Sequence, residues 1–114
     1  MSKVKVVTIG LGYIGLPTSA LIAQNGIKVH GVDINQHVVN TVNKGKIHIV
    51  EPSLDIAVEE SVRKGFLKAG VKPVEAETYL IVVPTPFKGN HEPDISYIES
   101  ATRSVLPFLK EDDL

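Results

Sequence analysis

The sequence predicts an α/β domain with a doubly wound parallel sheet in three layers, with helices on both faces. Two observations support this prediction. Short β-branched runs alternate with stretches of helical periodicity, and three glycines, Gly10, Gly12 and Gly15, separate the first run from the first helix. With 114 residues, 43% of them hydrophobic, the chain has the size of one domain with one core. We therefore assign residues 1–114 to a single domain.

The first part of the chain predicts two strands and one helix. Residues 4–9 form a continuous β-branched run, which is typical of a strand buried on both faces of a parallel sheet. Residues 28–32 form the second predicted strand. Between them, residues 14–25 have helical spacing and end at an Asn-Gly pair. The apolar residues of this helix that we expect to pack are Ile14, Ala20, Leu21 and Ala23.

Two further helices follow, each with a polar residue before it and a glycine after it. We expect the side chain of Asn35 to cap the second helix and Gly45 to end it. Ser53 is expected to cap the third helix, which ends at Gly65. The apolar positions at helical spacing are Val38, Val39 and Val42 in the second helix and Leu54, Ala57, Val58 and Val62 in the third.

The last part of the chain predicts two more strands and a final helix. Residues 66–69 form a short strand, and residues 79–83 form another that ends at Pro84-Thr85-Pro86, because proline donates no hydrogen bond to a sheet. Ser96 and Glu99 form a capping box at the start of the last helix. Pro107 is expected to end or kink that helix.

Composition excludes several classes of function. The formal net charge of −1 provides no basic surface for nucleic acid, and no stretch approaches the ~20 apolar residues of a membrane span. The chain has no cysteine, which excludes disulfides, thiolate metal sites and thiol nucleophiles within it and fits the cytoplasm. No metal site is expected from its four histidines, His30, His37, His48 and His91.

The three glycines form the Gly-X-Gly-X-X-Gly pattern of a Rossmann-type dinucleotide site. Gly10 permits the tight turn, Gly12 lets a diphosphate approach the backbone, and Gly15 permits close packing of helix on strand. The backbone amides of Tyr13 and Ile14 are expected to face the phosphates. Asp33, 18 residues after Gly15, ends the next strand, where a carboxylate can accept both adenosine ribose hydroxyls. Because an acid there repels a 2′-phosphate and no arginine is near, NAD is favoured over NADP.

The turn after the strand at residues 79–83 has two interpretations. Ligands of open parallel sheets gather beyond the carboxyl ends of the strands, so Thr85 is a candidate cofactor contact. Alternatively, the two prolines stop the strand and Thr85 is solvated. Glu51, Lys88 and His91 are more simply explained as residues of surface turns.

The stretches "GLGYIGLP", "GVDIN", "EPSL" and "VPTPF" together resemble the UDP-glucose/GDP-mannose dehydrogenase family, and the loops "IHIVEP" and "FKGNHEP" look most like its UDP-N-acetyl-D-mannosamine dehydrogenase branch. The resemblance implies oxidation of a sugar-nucleotide primary alcohol to a carboxylate in two hydride transfers to NAD, for surface polysaccharides. It also raises Thr85 above the solvated alternative. Many relatives have an arginine where this chain has Val38, which places one cofactor contact in doubt. The cofactor-binding residues that it implies are Gly10, Gly12, Tyr13, Ile14, Gly15, Asp33 and Thr85.

The resemblance also implies that the chemistry lies elsewhere. The family uses a cysteine nucleophile, which this chain lacks, so we expect an N-terminal cofactor-binding fragment that is inactive alone and lacks the substrate domain. Its sheet is expected to be incomplete. In the strand order 3-2-1-4, the strand at residues 79–83 is then an edge that favours self-association, and a homo-oligomer is expected. The alternatives are a dehydrogenase of another UDP- or GDP-sugar and a nucleotide-binding module without a reaction.

Overall fold

A computed structural model describes residues 4–82 and 96–108 and contains four strands and four α-helices in those ranges. The strands are β1 (Val6–Ile9), β2 (Val29–Val32), β3 (Leu67–Gly70) and β4 (Thr78–Ile81). The helices are α1 (Gly15–Gln24), α2 (Gln36–Asn43), α3 (Leu54–Arg63) and α4 (Ser96–Val105), and a 3-10 turn (Leu106–Phe108) follows α4. Among the helices in the described ranges, none is long and apolar enough to cross a membrane.

The four strands form one parallel sheet in the order β3-β2-β1-β4, as predicted. Val6 of β1 lies opposite Val29 of β2 on one side and Thr78 of β4 on the other. The chain runs from β1 through β2 to β3 in one direction and then returns to place β4 beside β1. Because this reversal opens a crevice at the carboxyl end of β1, the topology places a ligand site there.

Two apolar clusters, one on each face of the sheet, confirm the three-layer architecture. Leu16, Val42 and Val58, from α1, α2 and α3, belong to the larger cluster. Val105 from α4 packs with Val7 and Tyr79 in the smaller one. Val7 and Thr8 point to opposite faces, and both are fully buried, which explains why β1 reads as a continuous run rather than an alternating one.

The outer edge of β3 is covered by a side chain of α2. The amide of Asn43 donates from Nδ2 to the Ala69 carbonyl at 2.9 Å and accepts at Oδ1 from the Ala69 N–H at 2.8 Å. The carbonyl of Gly70, the next residue, accepts instead from Asp33 beyond the end of β2. Because consecutive peptides of a strand alternate in direction, the Ala69 groups face away from β2. Asn43 therefore pairs with the backbone that a further strand would use.

The expectation that Ile14 and Leu21 pack in the core was wrong. Ile14 and Leu21 are 68% and 61% exposed, whereas Leu16, Ala20 and Ala23 are buried. Residues 14 and 21 are seven apart and share a helix face, while the buried residues lie on the opposite face, toward the sheet. The other residues expected to pack do so.

The start of α3 also differs from the prediction. Asn35 precedes α2 in an extended conformation, and its Oδ1 accepts from the His37 N–H at 2.9 Å. Ser53 precedes α3 at φ 65° instead, and its side chain makes no capping bond. An extended backbone aims a capping side chain at the first free amides, and Ser53 lacks that conformation. The turn is closed by the Leu54 N–H, which donates to the Glu51 carbonyl at 3.2 Å.

Candidate cofactor-binding site

A cavity of about 960 Å³ opens at the carboxyl ends of β1 and β2. The glycine loop between β1 and α1 forms one wall, and the end of β2 forms another. Apolar side chains, including Ile34, Val38 and Val71, and the α4 residue Ala101 complete it. No lysine or arginine occurs among the described residues that line it. A long, mostly apolar cavity with a few polar groups suits a ligand that has both flat and charged parts.

The glycine loop is tightly wound against the sheet. Gly10 has φ 106°, and its N–H donates to the Val32 carbonyl at 2.7 Å. An ideal Cβ on Gly15 would lie 1.8 Å from the Gly10 carbonyl oxygen, so only glycine allows α1 to start this close to β1. A Cβ on Gly12 would meet nothing within 4 Å. No described residue therefore constrains Gly12 sterically, although Gly12 lines the cavity.

The loop presents backbone amides at the start of α1. The Gly12 carbonyl accepts from the Leu16 N–H at 3.1 Å, and the Ile14 carbonyl accepts from the Thr18 N–H at 3.0 Å, so the first turn is already helical in its bonding. Among the described residues, none accepts a hydrogen bond from the N–H of Gly12, Tyr13 or Ile14. Free amides at a helix N-terminus carry partial positive charge and bind phosphate oxygens.

Asp33 connects the glycine loop to the turn that follows β2. Its Oδ2 accepts from the Leu11 N–H at 3.1 Å and its Oδ1 accepts from the Asn35 N–H at 3.0 Å. The carboxylate is half-buried at the rim of the cavity. Since each carboxylate oxygen has two lone pairs, both oxygens can still accept from ligand hydroxyls.

His48 contacts the same loop, and sequence reasoning missed it. Its Nε2 lies within hydrogen-bonding distance of the Leu11 carbonyl oxygen, and because a carbonyl only accepts, the imidazole is the donor. Neighbouring Ile49 is buried, and Ile47 packs against the larger cluster. The signal in the sequence is a histidine between two isoleucines in a loop, and the expectation of no metal site at the histidines does not lead to this contact.

Other candidate residues do not join this site. Thr85, Lys88 and His91 lie outside the described residues. Glu51 is exposed, and its carbonyl closes the turn before α3, in line with the prediction of a turn residue. In the ranges that the structure describes, no group of three or more histidine, cysteine, aspartate or glutamate residues could hold a metal ion.

Residues 4–114 match the model of the UDP-glucose/GDP-mannose dehydrogenase family, NAD binding domain. The chain belongs to this family. NAD is therefore the cofactor of this domain, and the recognition of the family from its motifs is confirmed.

Individual relatives agree with the family assignment. The UDP-N-acetyl-D-mannosamine dehydrogenase of Escherichia coli is 59% identical over 111 residues, 97% of this chain and 26% of the relative. The NDP-N-acetyl-D-galactosaminuronic acid dehydrogenase of Ralstonia nicotianae is 55% identical, over 93% of this chain and 25% of the relative. The solved UDP-N-acetyl-mannosamine dehydrogenase of Staphylococcus aureus superposes with a TM-score of 0.92 at 42% identity, covering 96% of this chain and 27% of that one. The chain thus spans about a quarter of the length of these relatives.

The residues present fit the family's cofactor. Free amides at the start of α1 suit a diphosphate, and the carboxylate of Asp33 suits a ribose. The apolar walls suit a flat base. Gly12 leaves open space where a ligand has to come close to the backbone.

Proposed function

We propose that this chain is the NAD-binding part of a UDP-N-acetyl-D-mannosamine dehydrogenase. The observation that carries the proposal is the glycine loop, whose unpaired amides at Gly12, Tyr13 and Ile14 lie beside Asp33 in one cavity. The identity of 59% to the Escherichia coli enzyme of that name supports the choice of substrate. We place the reaction in the cytoplasm, where nucleotide sugars are made.

The proposed cofactor contacts divide by chemistry. The amides of Gly12, Tyr13 and Ile14 donate to the diphosphate, and Asp33 accepts from the adenosine ribose hydroxyls. Gly10 and Gly15 allow the loop and helix to lie close enough for this. Thr85 follows β4 and is proposed as a further contact beyond the end of that strand, by its place in the sequence alone.

The proposed reaction converts the sugar's primary alcohol into a carboxylate. Bound NAD would accept the hydride. Oxidation of a primary alcohol to a carboxylate removes four electrons, so two NAD are reduced for each sugar. One water provides the second carboxylate oxygen. We propose that the nucleophile which holds the aldehyde stage lies outside these 114 residues, because they contain no cysteine, and that they are inactive alone.

A second substrate is favoured by one observation. The Ralstonia relative, named for an N-acetyl-D-galactosaminuronic acid, is 55% identical to this chain, nearly as similar as the mannosamine enzymes. Identity within the cofactor domain therefore separates the two sugars weakly. The same NAD chemistry on a nucleoside-diphosphate N-acetyl-D-galactosamine is the alternative.

The cofactor proposal is tested by calorimetric titration of the purified protein with NAD and with NADP. We expect NAD to bind more tightly, since Asp33 repels a 2′-phosphate and the described cavity lining holds no cation to attract one. Equal or tighter NADP binding would overturn the role of Asp33. Because these 114 residues are proposed to be inactive alone, the substrate proposal is tested by NADH formation in the full-length enzyme with each UDP-aminosugar, with two NADH expected per molecule of the mannosamine compound.

A further inference from the structure

Leu11, in the middle of the glycine loop, is held at three points by three different parts of the chain. Its N–H donates to Asp33 Oδ2 at 3.1 Å, and its carbonyl accepts from His48 Nε2. Its side chain is fully buried against Gly31, where an added Cβ would lie 2.7 Å from Leu11 Cδ2. The residue is therefore fixed by β2, by the end of β2 and by the loop between α2 and α3.

The bond from His48 acts on a peptide that carries one of the unpaired amides. The carbonyl of Leu11 and the N–H of Gly12 belong to one peptide unit, which is trans, as all described peptides are. In a trans peptide these two groups point in opposite directions, so a donor that fixes the carbonyl also fixes the direction of the N–H. A hydrogen bond to the carbonyl further polarises the N–H and makes it a stronger donor.

Gly12 itself does little to hold this peptide. Glycine has the weakest backbone preference of any residue, and a Cβ at this position would touch nothing within 4 Å. The contacts of Leu11 with Asp33 and Gly31 hold its N–H and its side chain. Both groups precede the Cα–C bond of Leu11, about which the Leu11–Gly12 peptide rotates, so these contacts do not fix the orientation of that peptide. The bond from the Leu16 N–H to the Gly12 carbonyl holds the next peptide. Among the described residues, the hydrogen bond from His48 is therefore the one that acts on the Leu11–Gly12 peptide itself.

We propose that His48 is a positioning residue that orients and polarises the Gly12 N–H toward the cofactor diphosphate. This inference rests on the proposed NAD function. The loop that carries His48 is anchored independently by buried Ile49 and by Ile47, so the imidazole is held in place without the bond to Leu11. His48 bonds the backbone of the glycine loop and is not among the described residues that line the cavity.

The test compares three variants of the purified protein. His48→Leu removes the donor, and His48→Gln retains an N–H donor at a similar reach from the backbone. His37→Leu is the matched control, because His37 is an exposed histidine on α2 whose hydrogen bonds use only its backbone. For each variant, binding of NAD and of adenosine is measured by calorimetry or ligand-observed NMR, and thermal unfolding is followed in parallel.

We expect His48→Leu to weaken NAD binding about fivefold, the effect of one lost hydrogen bond, and to leave adenosine binding unchanged. His48→Gln should restore most of the NAD affinity, and His37→Leu should bind as wild type does. Equal loss for NAD and adenosine, or no rescue by glutamine in a variant that unfolds at the wild-type temperature, would overturn the proposal. If the wild-type protein binds no NAD, the proposed function fails instead. Unchanged NAD binding in His48→Leu would refute the positioning role of His48 and leave the proposed NAD function intact.

Discussion

The carbonyl oxygen of Gly10 occupies the space that a side chain on Gly15 would need, since an ideal Cβ there would lie only 1.8 Å away. The obstacle is backbone on both sides, where β1 passes into the loop and α1 begins. Relief of the clash requires the helix to move away from the sheet. We predict that Gly15→Ala lowers the free energy of unfolding by about 3 kcal/mol or more, measured by urea denaturation. A loss below about 1 kcal/mol would show that the loop yields easily.

The Gly12→Ala variant distinguishes an effect on NAD affinity from an effect on the free energy of unfolding. The added methyl group meets no atom of the described residues within 4 Å, so we predict a free energy of unfolding within about 1 kcal/mol of the wild-type value. NAD affinity should fall at least about tenfold, because the methyl group stands where a diphosphate approaches the backbone. Calorimetric titration and urea denaturation of the same preparation test both parts. Wild-type affinity in this variant would move the diphosphate away from Gly12.

Asp33→Asn removes the charge while retaining the shape of the side chain. An amide has one acceptor oxygen, so one of the two N–H groups that Asp33 accepts from, those of Leu11 and Asn35, loses its partner. We predict that NAD affinity falls about tenfold and that the preference for NAD over NADP narrows. Asp55→Asn, at an exposed acid in the first turn of α3, is the control. An unchanged ratio of NAD to NADP affinity would argue against discrimination by this carboxylate.

His30 gives the fold a dependence on pH. Burial lowers the pKa of His30 below its ordinary value of 6.5, with a smaller contribution in the same direction from Lys68, while the hydrogen bond to the Lys72 carbonyl opposes the shift. In the unfolded chain His30 takes up a proton near pH 6.5, but in the folded protein it does so only at lower pH. The unfolded state therefore binds more protons in that interval, and stability is lost as the pH falls through it.

This pH dependence is measured by urea denaturation at several values between about pH 7.5 and 5. His30→Gln is compared with wild type, since His37 and His48 are present in both proteins. We expect the free energy of unfolding to fall more steeply with decreasing pH in the wild type than in His30→Gln. Parallel curves for the two proteins would remove His30 as the cause.

Because β4 lies at the edge of the described sheet, we predict that the protein self-associates through this strand. In the described ranges β4 pairs with β1 on one side, and no described strand lies on its other side. A strand edge that no further strand covers can pair with a strand of a second copy. We predict a concentration-dependent increase in mass by sedimentation analysis, and a smaller increase for Ile81→Lys, which places a charge at an exposed residue of β4. A monomer at all concentrations would contradict the prediction.

The parts of the fold that depend on local chemistry were predictable from the sequence. The turn at Gly10, the cap at Asn35 and the end of α4 before Pro107 each depend on residues a few positions apart. The strand order followed from alternating strands and helices together with the glycine pattern. Ile14 and Leu21 are apolar but lie seven positions apart on the exposed face of α1, so apolar composition alone does not distinguish them from the residues that pack.

What the sequence could not predict depends on contacts between distant residues. The bond between His48 and Leu11 joins positions 37 residues apart, and nothing near either residue indicates the other. Ser53 has a common capping residue's chemistry, but its left-handed backbone removes that role. The conformation of one residue in a loop decides the outcome there, and composition does not encode it.

The amide of Asn43 has a consequence for the width of the sheet. Because it pairs with both the N–H and the C=O of Ala69, it blocks the pairing of a further strand with that residue of β3. At Ala69, a helix side chain thus takes the place that the backbone of a neighbouring strand would fill. Replacement of Asn43 by an apolar residue would leave the N–H and C=O of Ala69 available to pair with a strand of another molecule.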